Sequence, residues 1–420
     1  MTRLELRENG EWTPAPFAAD VIERACLTGL LESRLTAIGG QVKPQLNRVG
    51  SVSVGEHEFV VHPKAPFASV LFMLGYAADP GFRPDEVSGV GDSLVPAVAE
   101  TYARLLEQAL GRGVVQGYRR LDESAVTVRG RIRFSDQMSR RGGQLLPIEL
   151  TIDDYTVDIA ENQILRGATR LLLTLPRIPS SARRRLAHLD GQLAGVSSLS
   201  PGRELPRWRP SRLNERYHSS LRFAALVLAR LTPTQTDGGV PVASFVVNMA
   251  EAFEGFVTAA LTSAFADLSP GVSVGQYATH LDDEHRQPIR PDFVHTVGGA
   301  PTVVMDAKYK TGSPRVEDSY QMLAYCTVLG LTEGTLIYVA DRTRDHEKIA
   351  TVRRSGITIR TWRLDVGAAP ARMLAQLHGL VADRVAAVRP LERSGLASPV
   401  SGPLDTLGPT IHVDTTRGRT

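Results

Sequence analysis

The chain has 420 residues, of which 42% are hydrophobic and 22% charged, and its formal net charge is +3. This composition is typical of a globular protein, and the length suits two or three domains. The longest uncharged apolar run, Phe67–Ala78, is shorter than the ~20 residues of a membrane-spanning helix. Charges at the N-terminus occupy the place of a signal peptide's apolar region. We therefore expect a cytoplasmic protein that has no membrane partner.

Residues 1–95 are predicted to be β-rich. TRLELRE alternates between polar and apolar residues, and GSVSVGEHEFVVHPK alternates on both sides of a turn at Gly55-Glu56. Between these runs, AADVIERACLTGLLESRLTAI (18–38) has the apolar spacing of a helix. This region is the first of four into which we divide the chain.

Residues 96–238 are predicted to mix helices and strands. A helix is expected over 95–112, a strand pair within GYRRLDESAVTVRGRIRFSDQM, and then a strand that runs into a helix near Ile159. The polar, Gly- and Pro-rich segment 232–241 is the best linker candidate. Residues 239–392 form the third region, and the Ser-, Gly- and Pro-rich tail 393–420 is predicted to be disordered.

A basic stretch covers residues 177–216. It holds nine arginines against three acidic residues, Asp190, Glu204 and Glu215. One interpretation is a solvated helix face followed by a linker. The other is a surface that contacts phosphates, for which the candidates are Arg207, Arg209 and Arg212.

The third region contains the candidate catalytic residues. An apolar helix, three short β-like runs, a second helix and a further strand follow one another from Ser244 onwards. Asp292 opens the run FVHTV, and Asp306 ends the run TVVM with Lys308 two residues later. Residues i and i+2 of a strand share a face, and consecutive strands usually pair. We therefore expect these three side chains to converge.

Such a convergence suits a divalent cation. Two carboxylates and a backbone carbonyl, that of Ala307, make an all-oxygen site of the kind that Mg²⁺ (or Mn²⁺) prefers. A cation there can acidify a water and neutralise charge on a phosphate, which is the chemistry of phosphodiester hydrolysis. Lysine is rare here, since the 48 basic residues include five lysines. Its presence at position 308 indicates a need for an amine.

Three further groups are candidates for the same site. Gln321 and Tyr325 are four residues apart and share a helix face, and Glu254 lies on the helix that precedes the strands. Lys310 shares a face with Lys308 and can reach a phosphate, although a solvated lysine is the simpler interpretation.

The run RPDFV…VVMDAKYK…DSYQMLAY resembles the PD-(D/E)xK nuclease core. More narrowly, the chain resembles the McrC family, the nuclease subunits of the McrBC 5-methylcytosine-dependent restriction system. Relatives of four further segments occur in that family, and the resemblance covers roughly residues 45–345. These segments are VRGRIRFSDQM, DDYTVDIAENQILR, LNERYH and MAEAFEGFV. One departure is Asn248-Met249-Ala250, where relatives often have D-M-N.

The resemblance implies a fold, a site and partners. The fold is α+β or α/β, with a C-terminal mixed sheet flanked by helices. The catalytic trio is Asp292, Asp306 and Lys308, while Gln321 and Tyr325 match the Q-x-x-x-Y helix and Glu254 matches the acid of F-E-x-F-V. The implied activity is Mg²⁺-dependent DNA cleavage. The N-terminal region is implied to dock on a ring of the AAA+ GTPase McrB and to stimulate its GTP hydrolysis. In this family McrB, and not McrC, reads the methylated base.

Two alternatives stay open. The chain can act mainly as a GTPase-activating assembly subunit with weak or no cleavage, or as a standalone RecB-like repair nuclease. No G-x-x-x-x-G-K-[ST] occurs, so we expect that the chain itself binds no nucleotide.

Overall fold

A computed structural model describes residues 2–37, 39–83, 87, 94–175, 178–199, 204–235, 241–312, 314–340 and 347–393. Helices and strands are both abundant in these ranges, and the sheets contain parallel and antiparallel pairs. The fold is therefore mixed α+β, as the sequence predicts. The division into four regions stays a prediction, and the tail from residue 394 lies outside the described residues.

Two small sheets and a helix form the N-terminal region. The elements are β1 (Arg3–Arg7), β2 (Thr13–Pro14), α1 (Ala19–Leu27), β3 (Leu31–Thr36), β4 (Gly39–Pro44), β5 (Arg48–Val54) and β6 (His57–His62). Strands β5 and β6 form the predicted hairpin. The predicted helix over 18–38 is wrong in its second half. Gly29 takes a left-handed φ of 76°, which ends the helix and lets β3 pair with β4.

A group of helices follows: α2 (Phe67–Ala78), α3 (Leu94–Leu110), α5 (Ala160–Thr174), α6 (Ser180–Gln192) and α7 (His218–Arg230). Helix α2 is apolar on every side because it is buried on every side. Helix α3 confirms the helix predicted over 95–112. These helices belong to the main hydrophobic core.

A three-stranded sheet, here called the arm, separates α3 from α5. Its elements are β7 (Gly117–Ala125), β8 (Arg131–Ile132), α4 (Phe134–Arg141) and β9 (Ile148–Thr156). The predicted strand pair is wrong, because β7 and β8 each pair with β9 and not with each other. The residues after β8 form a helix that ends at Gly142, whose φ of 53° is left-handed. The predicted passage from strand β9 to helix α5 is confirmed.

The predicted linker is also wrong over its described residues. Strands β10 (Leu231–Gln235) and β11 (Pro241–Asn248) pair with each other, and β11 pairs with β5 of the N-terminal sheet. Strand β10 lies at the edge of that sheet. Proline has no backbone N–H to donate, so it is tolerated in a strand that has a neighbour on one side only. Pro233 lies in such an edge strand.

The C-terminal part contains a six-stranded sheet of order β12-β15-β16-β17-β19-β18 with helices packed against it. Its elements are α8 (Met249–Leu268), β12 (Val272–Gly275), β13 (Thr279–His280), β14 (Pro288–Ile289), β15 (Phe293–Val297), β16 (Ala300–Lys308), α9 (Val316–Leu329), β17 (Glu333–Val339), β18 (Glu347–Thr351), β19 (Thr358–Leu364) and α10 (Pro370–Arg393). Helix α8 is buried between this sheet and helices α2 and α10. Ring contacts at 5.7–5.8 Å join Phe256 of α8 to Phe72 and Tyr76 of α2.

Candidate metal centre

The pairing of β15 with β16 brings the predicted site together. The two strands are antiparallel, and Phe293 lies opposite Met305. Asp292 immediately precedes the first of these residues, and Asp306 immediately follows the second. The two carboxylates therefore meet at one end of the strand pair. The expectation that consecutive strands would join them is confirmed.

Two hydrogen bonds hold the carboxylate of Asp292. Its Oδ2 accepts from the backbone N–H of Ala307 at 2.9 Å, and its Oδ1 accepts from Nε2 of Gln276 at 2.8 Å. An extended residue directs its N–H and C=O toward the same neighbouring edge. The carbonyl of Ala307, the predicted third oxygen ligand, therefore lies on the edge of β16 that faces Asp292.

Asp306 is buried and lacks ordinary partners. Its exposed fraction is 2%. Nζ of Lys308 lies 2.5 Å from its Oδ2, and no regular hydrogen bond reaches this oxygen from the described residues. Burial and then the negative charge of Asp292 raise the pKa of Asp306 to about 7, in spite of the neighbouring ammonium. This carboxylate is therefore costly to keep charged without a further cation.

Lys308 and Glu254 complete the electrostatics of the site. Burial lowers the pKa of Lys308, but the negative charges of Asp306 and Asp292 outweigh this effect and raise it overall. Burial and then the charge of Asp292 raise the pKa of Glu254 to about 7. Lys308 opposes that shift, so Glu254 is close enough to these groups to interact with them from α8.

Gln321 and Tyr325 lie on α9 on the other flank of the site. Nε2 of Gln321 donates to the Tyr325 hydroxyl at 2.6 Å, and this hydroxyl is 3.3 Å from the carbonyl oxygen of Arg290. Burial raises the pKa of Tyr325, and the charges of Asp306 and Asp292 add to the shift. The tyrosine hydroxyl therefore stays protonated beside the carboxylates.

Lys310 has a protein partner. Its Nζ lies 3.0 and 3.2 Å from Oδ1 and Oδ2 of Asp318 on α9. Oδ2 of Asp318 also accepts a hydrogen bond from the Tyr338 hydroxyl. The ammonium of Lys310 is thus directed at α9 and not at Asp306.

The basic stretch divides into two groups of arginines. Some bind the chain itself: Arg185 forms a double ion pair with Glu107, and Arg183 donates to two backbone carbonyls. The three predicted DNA contacts, Arg207, Arg209 and Arg212, are exposed on an irregular segment. Their side chains make no ion pair or hydrogen bond with any described residue. They lie outside the carboxylate cluster, and their role stays a prediction.

The donor set fits Mg²⁺. Asp292, Asp306 and the Ala307 carbonyl offer only oxygen, and Oδ2 of Asp306 is a buried acceptor that, among the described residues, has only the Lys308 ammonium beside it. In the described part of the chain, no three side chains of His, Cys, Asp or Glu form a complete ligand set. Mg²⁺ does not need one, because proteins usually bind it with one or two carboxylates while it keeps several waters.

Two residues near the site acquire roles that the sequence analysis missed. Gln276 binds Asp292, and no spacing rule singles it out. Asn248, part of the segment that departs from the family pattern, caps helix α8: its side chain accepts from Ala250 N at 3.1 Å and donates to Glu251 at 2.8 Å. Asparagine at this position therefore serves the helix start.

Known proteins share this family and fold. The family model described as McrBC 5-methylcytosine restriction system component matches residues 44–339. A solved chain from a refined half-complex of Thermococcus gammatolerans McrB AAA+ hexamers with bound McrC is similar with a TM-score of 0.59 and 18% identity. The match covers 90% of this chain and 100% of that one. A chain of the McrBC complex from the same organism matches with a TM-score of 0.42 and 17% identity, over 63% of this chain and 88% of that one.

No curated protein matches the chain. Among the described residues, no helix combines the length and the apolar character needed to cross a bilayer. The fold and the site define a mixed α+β protein that has paired carboxylates at one end of a strand pair. Since the family model covers most of its length, the chain belongs to the McrBC 5-methylcytosine restriction system component family. The resemblance seen in the sequence is thereby confirmed.

Proposed function

We propose that the chain is the DNA endonuclease subunit of a GTP-driven restriction system that acts on DNA with modified cytosine. The observation that carries this proposal is the convergence of Asp292, Asp306 and Lys308 in a member of the McrBC family. The fold would then contain a PD-(D/E)xK core built from β15, β16 and their neighbours.

The proposed cofactor is Mg²⁺ or Mn²⁺. Asp292, Asp306 and the Ala307 carbonyl would hold it. When bound, such a cation acidifies a water and neutralises charge on the scissile phosphate. Two donors already fix the Asp292 carboxylate, so this group needs little rearrangement to bind.

Lys308 and Glu254 would handle protons and charge beside the cation. Nζ of Lys308 is close enough to Asp306 to orient the attacking water or to approach a phosphate oxygen. Glu254, with a pKa of about 7, can take up or release a proton near neutrality. Gln321 and Tyr325 would support this flank through the hydrogen bond to the Arg290 carbonyl.

DNA contacts would be mostly to the backbone. Arg207, Arg209 and Arg212 are exposed and offer guanidinium groups to phosphates. Lys310 would join them only if its ion pair with Asp318 opens.

The proposed partner is a ring of an AAA+ McrB-like GTPase. Family membership supports it, and the similar fold in an assembly of McrB hexamers with bound McrC agrees with it. The N-terminal region, residues 1–95, would dock on this ring and stimulate GTP hydrolysis.

An Asp306→Asn variant tests the nuclease and separates the alternatives. Nicking is measured on methylated and unmethylated plasmid with Mg²⁺, with and without the partner GTPase. We expect the variant to lose cleavage and to keep the stimulation of GTP hydrolysis. Asp283→Asn is a matched control, because Asp283 is exposed in the loop between β13 and β14.

Other outcomes have defined meanings. If the wild-type chain stimulates GTP hydrolysis but never cuts, it is an assembly subunit. If Asp306→Asn loses both activities, the carboxylate is structural. Cleavage that needs no GTPase and ignores methylation would identify a repair nuclease.

A further inference from the structure

Gln276 follows the last residue of β12 and has an unusual backbone conformation. Its φ is 52°, in the left-handed region that disfavours residues with a side chain. Glycine or asparagine would adopt this conformation more readily. Glutamine therefore does not favour the turn itself, and the presence of this side chain at position 276 needs another explanation.

The side chain of Gln276 is directed at the candidate metal ligand. Its Nε2 donates to Oδ1 of Asp292 at 2.8 Å. The backbone joins the same neighbour, since Gln276 N donates to the Asp292 carbonyl at 2.9 Å. The Gln276 carbonyl in turn accepts from Nε of Arg290 at 3.2 Å. The left-handed turn is thus tied to the Arg290-Pro291-Asp292 segment on both sides.

The two oxygens of Asp292 are held by donors of different kinds. Oδ2 accepts from the backbone N–H of Ala307 on β16, which every residue type except proline would supply. Oδ1 depends on the amide of Gln276. Together the two bonds fix both oxygens of the carboxylate, whereas either one alone would hold only one of them. Groups behind metal ligands that hold them in this way commonly control cation affinity.

We propose that Gln276 is a positioning residue that orients Asp292 for a divalent cation. This inference rests on the proposed function, because it assumes that the Asp292 and Asp306 pair binds the cation. The role of Gln276 is to donate its Nε2 hydrogen bond, and the left-handed backbone is what directs the amide toward Oδ1.

Two substitutions separate the hydrogen bond from the backbone conformation. Gln276→Met keeps the length of the side chain but removes the donor. Gln276→Gly removes the donor and also relieves the left-handed strain, so its melting temperature should equal or exceed that of the wild type. A purely conformational role predicts that the glycine variant retains cation affinity, whereas a positioning role predicts that it loses affinity.

The experiment measures Mn²⁺ binding to the full chain by calorimetry and by electron paramagnetic resonance of free Mn²⁺. We expect both Gln276 variants to bind Mn²⁺ about 10- to 100-fold more weakly than the wild type. The matched control is Arg354→Gly. Arg354 is also exposed with a left-handed φ of 69°, but it lies beyond β18 at the opposite edge of the sheet. This control should relieve strain and leave Mn²⁺ affinity unchanged.

Asp306→Asn distinguishes the two levels of failure. If the wild type binds Mn²⁺, Asp306→Asn does not, and either Gln276 variant keeps wild-type affinity, then the inference about Gln276 is wrong and the metal site stands. If the wild type binds no Mn²⁺, or Asp306→Asn binds as the wild type does, the proposed site and the inference both fall.

Discussion

Two buried carboxylates in this chain have opposite surroundings. Glu149, on β9 of the arm, is 2% exposed and accepts hydrogen bonds from Ser124, Arg133 and Arg141. These bonds, that of Ser124 first, lower the pKa of Glu149. Asp306 is equally buried, but its pKa is raised to about 7 and its Oδ2 has no regular hydrogen bond.

The contrast indicates how a carboxylate with a structural role can be told from a candidate ligand. Burial alone does not, because the two exposed fractions are the same. Glu149 is covered by its own ion-pair partners on a thin sheet, so both of its oxygens are occupied. Asp306 is covered by the core and by strand β17, and among the described residues its Oδ2 has only the Lys308 ammonium beside it. A buried carboxylate with so few donors is costly to keep ionised, and such a cost is typical of functional sites.

The largest expected effect comes from exchanging the cation beside each carboxylate without changing its charge. Lys308→Arg should reduce Mg²⁺-dependent cleavage at least ~100-fold, because a guanidinium is bulkier and does not release a proton near neutrality. The matched exchange in the arm, Arg141→Lys, should leave cleavage within a few fold of the wild type. Plasmid nicking with the partner present measures both. Near-normal cleavage by Lys308→Arg would contradict the role assigned to this lysine.

Removing the charge of the structural carboxylate should destabilise the arm. Glu149→Gln leaves Arg133 and Arg141 facing each other without their shared anion, which is costly for a buried ion pair. We expect the melting temperature to fall by several degrees and the β9 amides to exchange faster with deuterium. Glu123→Gln removes the half-buried partner of the exposed Arg129 and should change neither quantity noticeably. Unchanged exchange in Glu149→Gln would show that the cluster does not hold the arm together.

Sequence patterns predicted the site better than its surroundings, for a physical reason. Asp292, Asp306 and Lys308 lie on two strands that are consecutive in the chain, so alternation and strand pairing alone place them together. Lys308 and Asp306 are two residues apart, and the structure confirms that they share a face. The helices carrying Glu254 and Tyr325 were also predictable from their apolar spacing. The start of the first was wrong, because residues 244–248 belong to strand β11 and the helix begins at Met249.

Features that depend on distant partners were not predictable. Strand β11 pairs with β5 about two hundred residues earlier, so the described residues of the linker predicted over 232–241 could not be recognised as parts of strands. Strand β3 has only six residues, and its pairing with β4 stabilises it as a strand. Strands β7 and β8 needed β9 between them. The role of Gln276 depends on a left-handed backbone conformation that no pattern in the sequence predicts.

We expect the candidate metal centre to lower the stability of the fold at neutral pH. The pKa of Glu254 rises from 4.5 to about 7 on folding, so the folded chain binds this proton more tightly than the unfolded chain. Its contribution to stability is therefore complete below pH 4.5 and is lost as the pH rises through 7. Glu254→Gln should raise the free energy of unfolding at pH 8, relative to the wild type, by on the order of 1–2 kcal/mol.

Denaturant titrations without divalent cations at pH 4 and pH 8 measure this difference. The gain should vanish at pH 4, where the wild-type carboxyl is protonated in both states. Glu56→Gln makes the same change in an exposed turn and should have no effect at either pH. A gain that is equal at both pH values would show that the charge of Glu254 is not its cause.

A third buried carboxylate, Glu8, has fewer hydrogen-bond donors than Glu149 and more than Asp306. Substitutions beside it should have the smallest effect of those considered. Its Oε2 accepts from the Tyr309 hydroxyl at 3.0 Å and from Lys64 N at 3.1 Å, while its Oε1 has no described partner. Burial raises the pKa of Glu8, and the bond from Tyr309 opposes that shift. Glu8 thereby joins the N-terminal region to the residue that follows Lys308.

Tyr309→Phe tests this intermediate case. It removes one donor from a carboxylate that has few, and it should lower the free energy of unfolding by about 1–2 kcal/mol at pH 7.5. The loss should be smaller at pH 4, because the missing bond favours the ionised form of Glu8, which is less populated there. Tyr320→Phe is the control, since Tyr320 is 68% exposed. If Tyr309→Phe is as stable as that control, the Tyr309 hydrogen bond does not stabilise the fold. The number of hydrogen-bond donors would then not explain the differences between Glu149, Glu8 and Asp306.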